Sequence, residues 1–143
     1  MKIRIIFFAV LLLTILISCS DDDDKTITEY EKLIVGIFQP TDMFWSVKGE
    51  RIYVFNEDKT GTVYVLESFD HETGKYTAST IFNISHYYID RDPKNKGYNI
   101  IITLDAEWGT EQFGIKKLTQ SGLENGVSRY IRVSKLKVVG VDS

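Results

Sequence analysis

Along most of the chain apolar and polar residues alternate with a period of two. In Thr62-Val63-Tyr64-Val65-Leu66-Glu67, Val63 and Val65 share one face and Thr62, Tyr64 and Leu66 the other. In Arg129-Tyr130-Ile131-Arg132-Val133-Ser134, Ile131 and Val133 oppose Arg132 and Ser134. This period marks strands, because successive side chains leave the pleat on opposite sides. The pattern predicts eight strands, at 33–39, 50–56, 62–68, 75–84, 86–90, 98–104, 111–118 and 129–138. Polar stretches that contain glycine separate them. The 56–61 turn is expected to place Gly61 in a left-handed conformation, and 71–74 reads as a second hairpin turn. Pro93 keeps 92–97 out of any central strand, and 121–126 reads as a loop with two glycines. Ahead of the first strand, Thr28 and Glu31 have the spacing of a capping box, which predicts a short helix over 29–33. Strands joined by short turns are antiparallel, and so many short strands favour closure into a small barrel that leaves no exposed edge. The expected fold class is therefore all-β, an antiparallel up-and-down barrel of about eight strands with a short N-terminal helix.

The first 18 residues follow another pattern. Lys2 and Arg4 precede an apolar run from Ile5 to Ile17, broken only by Thr14. A helix of that length spans about 20 Å, short of a hydrocarbon core of about 30 Å, but it suits the apolar region of a signal peptide. Residues 1–18 are accordingly read as a signal peptide, 19–27 as a polar tether and 28–143 as the folded domain.

Composition then narrows the function. Without Lys2 and Arg4 the chain has 15 bases against 20 acids, a net charge of −5 where the whole sequence has −3. Asp21, Asp22, Asp23 and Asp24 supply four of the negative charges, so the domain itself is close to neutral. Nucleic-acid binding needs clustered Lys and Arg and is not expected. The single cysteine, Cys19, excludes an intramolecular disulfide.

Leu16-Ile17-Ser18-Cys19 resembles the lipobox of bacterial lipoproteins. The resemblance implies cleavage before Cys19 and attachment of diacylglycerol to its sulfur. The membrane is then a partner through the acyl chains, and two or more chains make that anchoring stable. Ser20 and Asp21–Asp24 are similar to the acidic export signal of Bacteroidota lipoproteins, which implies an outer-membrane location at the cell surface.

The domain resembles lipocalin-like proteins. The helix and the strand through Gly36-Ile37-Phe38 look like the family's opening, with Phe38 where Trp is usual. The 55–62 hairpin and the runs 113–119 and 129–133 are similar to those of lipocalin-like lipoproteins in Bacteroidota. In that family an Arg near the final strand stacks on the Trp; Arg129 and Arg132 are the candidates for that role on Phe38. The resemblance implies a cup for an apolar ligand. An eight-stranded barrel either holds one small ligand or is filled by its own side chains, and the residues leave both open.

The expected function is that of a lipid-anchored binding module, for a small apolar molecule, a glycan or an envelope protein. The alternative is a non-catalytic structural or accessory subunit of an envelope complex, with a filled barrel. Trp45, Trp108, Tyr64 and Tyr87 are the candidate contact residues, since Trp and Tyr combine an apolar body with a polar edge. No catalytic residue, metal site or cofactor is expected. His71 and His86 have no recognisable nucleophile, and no Gly-x-Ser-x-Gly elbow is present. Asp105 and Glu107 form a carboxylate pair best read as part of a loop. Asn56, Asp58, Thr60, Gly61 and Glu67 mimic the spacing of a calcium loop, but a β-hairpin accounts for the same residues.

Overall fold

The computed structural model describes residues 25–41, 47–92 and 97–139. The signal peptide, Cys19, the acidic run and Trp45 lie outside the described residues. The chain begins with α1 (Ile27–Ile34), followed by β1 (Gly36–Pro40), β2 (Arg51–Phe55), β3 (Gly61–Asp70), β4 (Lys75–Arg91) and β5 (Ile100–Ala106). After these come β6 (Gly109–Ile115), β7 (Lys117–Leu118), β8 (Gly122–Glu124), β9 (Arg129–Val133) and β10 (Val138–Val139).

The sheet runs in the order β6-β5-β4-β3-β2-β1-β9-β8-β7, each neighbouring pair antiparallel. Its two outer strands, β6 and β7, are consecutive in sequence and separated only by Lys116. One bent stretch thus pairs with β5 along its first part and with β8 along its second, and the chain itself brings the sheet round to near closure. With β6 and β7 taken as a single stave, the barrel is an eight-staved, up-and-down, lipocalin-like one. The fold class matches the expectation.

Several boundaries differ from those the pattern predicts. The capping box is Thr26 and Glu29. The Thr26 hydroxyl accepts from Glu29 N–H at 3.2 Å and the Glu29 carboxylate accepts from Thr26 N–H at 2.6 Å. Starting two residues earlier puts Ile27, Tyr30 and Ile34 on one face at helical spacing, and Tyr30 and Ile34 are fully buried. The predicted strands 75–84 and 86–90 are one 17-residue strand, β4. Ser85 is an extra residue between the pairs Ile84↔Ala106 and His86↔Asp105, and this bulge turns Tyr87 and Ile89 to the same side as Ile84. Alternation read along the sequence breaks at that point, which makes one strand look like two. The 121–126 segment contains β8, and the predicted 129–138 strand stops at Val133. Its continuation returns as β10, which pairs parallel with β4 through Val138↔Tyr76 and Val139↔Thr77.

Gly61 does not hold the left-handed position of its turn; Lys59 does, at φ 69°. Gly61 lies in β3, where a Cβ would come within 2.2 Å of the Val54 carbonyl oxygen, so close strand approach is what calls for glycine there.

At the base, α1 is tied to the barrel by charged side chains. Arg132 of β9 lies 4.7 Å from the centre of the Phe38 ring and donates to the carbonyls of Leu33 and Val35, and to that of Gln120 at 2.9 Å. Of the two arginines considered, Arg132 stacks on Phe38, while Arg129 is an exposed partner of Glu124. Gly36, at φ 146°, leaves room for the Arg132 guanidinium, since a Cβ there would approach Nη1 to 2.4 Å. Lys59 pairs with Glu31 at 2.6 Å, and Arg91 lies over Tyr30 and donates to the Lys25 carbonyl.

Candidate functional site

The place where a barrel of this kind would admit a ligand is its interior and the end away from α1. Every stave sends side chains inward: Phe38 from β1, Tyr53 and Phe55 from β2, Val63 from β3, Ile84, Tyr87 and Ile89 from β4. Ile100, Ile102 and Leu104 follow from β5, Ile115 and Leu118 from the bent stave, Leu123 from β8 and Tyr130 from β9. Phe38, Val63, Ile100, Ile102, Leu104, Ile115 and Leu118 expose no surface at all. A side chain lining a hollow keeps surface open to that hollow, so no space as large as a water molecule adjoins these residues. The aromatic rings interlock. Phe55 meets Phe38 edge-on at 6.2 Å and Tyr87 at 5.0 Å, and Tyr53 meets Phe113 at 5.4 Å and Tyr130 at 5.7 Å.

Above this aromatic layer the mouth carries a charged pair. Arg51 Nη1 donates to both oxygens of Glu111, at 2.8 and 2.9 Å. Three strands separate β2 from β6 in the sheet, so the pair spans the barrel rather than running along its wall. Both side chains are about one-third exposed, so water screens the pair and its contribution to stability is modest. Burial works against the Arg51 charge, but the Glu111 carboxylate and the Tyr53 hydroxyl outweigh it and hold Arg51 above its ordinary pKa. Burial also raises the pKa of Tyr53 and Tyr130, so their hydroxyls stay protonated at neutral pH. Beside the mouth, Trp108 at the β5–β6 turn packs on Phe82 at 4.4 Å and remains partly exposed.

The described candidate contact residues, Trp108, Tyr64 and Tyr87, do not converge. Trp108 stands at the rim. Tyr64 is on the opposite face of the sheet, in a second cluster with Ile37, Val47, Ile52, Leu66, Phe69, Tyr76, Leu136 and Val138. Tyr87 is buried at the base with its hydroxyl donating to the Asn56 carbonyl at 2.8 Å, and burial, with Glu31 and Asp58 nearby, pushes its pKa up to about 12. The Arg51–Glu111 pair is absent from the sequence reading, although it left a trace. Arg51 has the same parity as the inward Tyr53 and Phe55, and Glu111 the same parity as the inward Phe113 and Ile115. Opposite charges at the ends of two apolar faces are the pattern that would have found it.

The polar constellations are taken up locally. Asp58 accepts from the Thr60 N–H at 3.0 Å and the Thr60 hydroxyl at 2.6 Å, while Asn56 donates to the same hydroxyl. Asp105 accepts from the Thr110 hydroxyl at 2.8 Å and Glu107 from the Asn83 amide at 3.3 Å. His71 packs edge-on to Phe69, and His86 against Tyr88. Comparison with protein families, with curated proteins and with solved structures finds no match to this chain.

Proposed function

We propose that the chain is a lipid-anchored lipoprotein of the outer membrane, exposed at the cell surface. Its lipocalin-like barrel is a docking module for an envelope protein, not a carrier of a small apolar molecule. Of the readings left open by the sequence, this is the accessory one. The observation that favours it is the filled interior. A carrier needs a cavity of roughly 300 Å³ or more, whereas the inward side chains at the barrel's centre adjoin no free space. The Arg51–Glu111 pair across the mouth adds to this, since an entering apolar molecule would have to displace it. The anchoring half of the reading rests on Leu16-Ile17-Ser18-Cys19 and the acids that follow.

Native mass spectrometry of the protein purified from its own membrane tests the docking half. The expected result is a co-purified polypeptide; a stoichiometric small apolar molecule would overturn the reading. For the anchor, Cys19→Ala is expected to move the protein from the membrane to the soluble fraction. Retention of the variant in the membrane would contradict the lipobox.

A further inference from the structure

Between Val133 and Val139 the chain forms a strap across the outer face of the sheet. Leu136 and Val138 are packed into the second cluster, and the Lys137 carbonyl accepts from Tyr76 N–H at 2.8 Å. Lys135 and Lys137 alternate with those two and are exposed, on a backbone that packing and pairing hold in place. Two adjoining grooves share both lysines. One, of about 500 Å³, lies against Thr73 and Lys75; the other, of about 340 Å³, lies against Gln39 and Arg132. Among the described residues neither has an acidic residue in its lining. The side-chain ammonium groups of Lys75, Lys135 and Lys137 have no hydrogen-bond or carboxylate partner among the described residues, in a chain whose acids outnumber its bases by 20 to 17. On the neighbouring turn, Glu72 lies outside both linings, and Asp70 is occupied by the Glu72 N–H and the Thr73 hydroxyl.

We propose that this lysine face is where the protein partner docks, and that it takes an extended acidic segment of that partner. The proposal rests on the docking role argued above. Side chains two residues apart on a strand project about 7 Å apart. Carboxylates at alternate positions of an extended polypeptide can reach Lys135 and Lys137, which share both grooves just ahead of β10, with Lys75 at the start of β4 as a third contact. Among the described residues β10 pairs with β4 alone, which leaves its other side facing the segment. Lys25, from which the tether runs back to Cys19, is held by Arg91 at the far end of β4, whereas the grooves adjoin Lys75 at its start.

The test is fluorescence anisotropy of a labelled peptide of alternating Glu and Val, titrated with the full chain in detergent. Saturable binding that weakens with salt is expected. It should fall about tenfold in the Lys135→Gln, Lys137→Gln double variant, the loss appropriate to two screened contacts. Lys116→Gln, Lys117→Gln, which lies outside both grooves, should leave it unchanged. Absence of binding, equal weakening by both double variants, or equally strong competition by polygalacturonate at matched charge would each overturn the proposal. The native mass spectrum separates this failure from failure of the docking reading. A polypeptide partner with no peptide binding removes only the lysine face, whereas a bound apolar molecule removes the docking role itself.

Discussion

Tyr87 shows how one side chain serves two parts of the base. Its ring lies against Phe55 in the barrel core, and its hydroxyl satisfies the Asn56 carbonyl at the β2–β3 turn. A buried phenol resists ionisation, and here the folded pKa rises from 10 to about 12. A folded pKa above the unfolded one contributes stability that is fully present below the unfolded value and is lost as pH rises through the folded one. Melting temperature is therefore expected to fall steeply between about pH 10 and 12. Tyr87→Phe should flatten part of that fall while costing about 1 kcal/mol at neutral pH through the lost hydrogen bond. Thermal melts of both proteins across that range check it, and identical slopes would refute the assignment. Tyr53 and Tyr130 shift in the same direction, so a residual slope is expected. Gly61 belongs to this scale as well. A glycine next to a turn reads as a left-handed position, but the steric reason lies in Val54, a neighbour across the hairpin.

At the scale of elements, the joint between α1 and the barrel depends on Arg132. Its guanidinium satisfies carbonyls at the helix's C-terminal end that would otherwise lack partners, and it also covers Phe38. Arg132→Gln is expected to destabilise the fold by about 2–4 kcal/mol, and Arg132→Lys to recover only a minor part, because a lysine has no planar fork to reach several carbonyls. Urea denaturation measures both, and full recovery with lysine would show that charge alone matters. Most elements were legible from alternation, and the exceptions share one cause. The β4 bulge at Ser85 and the register slips between Val65 and Ser68 change which face a residue occupies without changing residue type. Leu66 and Phe69 of β3, three apart, thus face the same cluster as Tyr76 of β4. The three-residue β8 is too short for its period to register, and it becomes a strand because β7 and β9 flank it.

For the whole molecule, the decisive property is that the described inward Phe, Tyr, Ile and Leu side chains pack against one another at the centre of a nearly closed sheet. An environment-sensitive apolar dye added in equimolar amount is expected to show no emission gain with the folded protein. A gain removed by Arg51→Ala would point instead to entry through the mouth. Sequence by itself determined most of the strand content, the antiparallel connections and the helix ahead of the first strand, because each depends on residues close together in the chain. Only the tertiary structure decided how the sheet closes, that the described side chains at its centre pack closely, that Arg51 meets Glu111, and that Lys75 joins Lys135 and Lys137. These depend on register between distant strands, where one bulge reverses a face and a contact across the barrel leaves only a parity trace in the sequence.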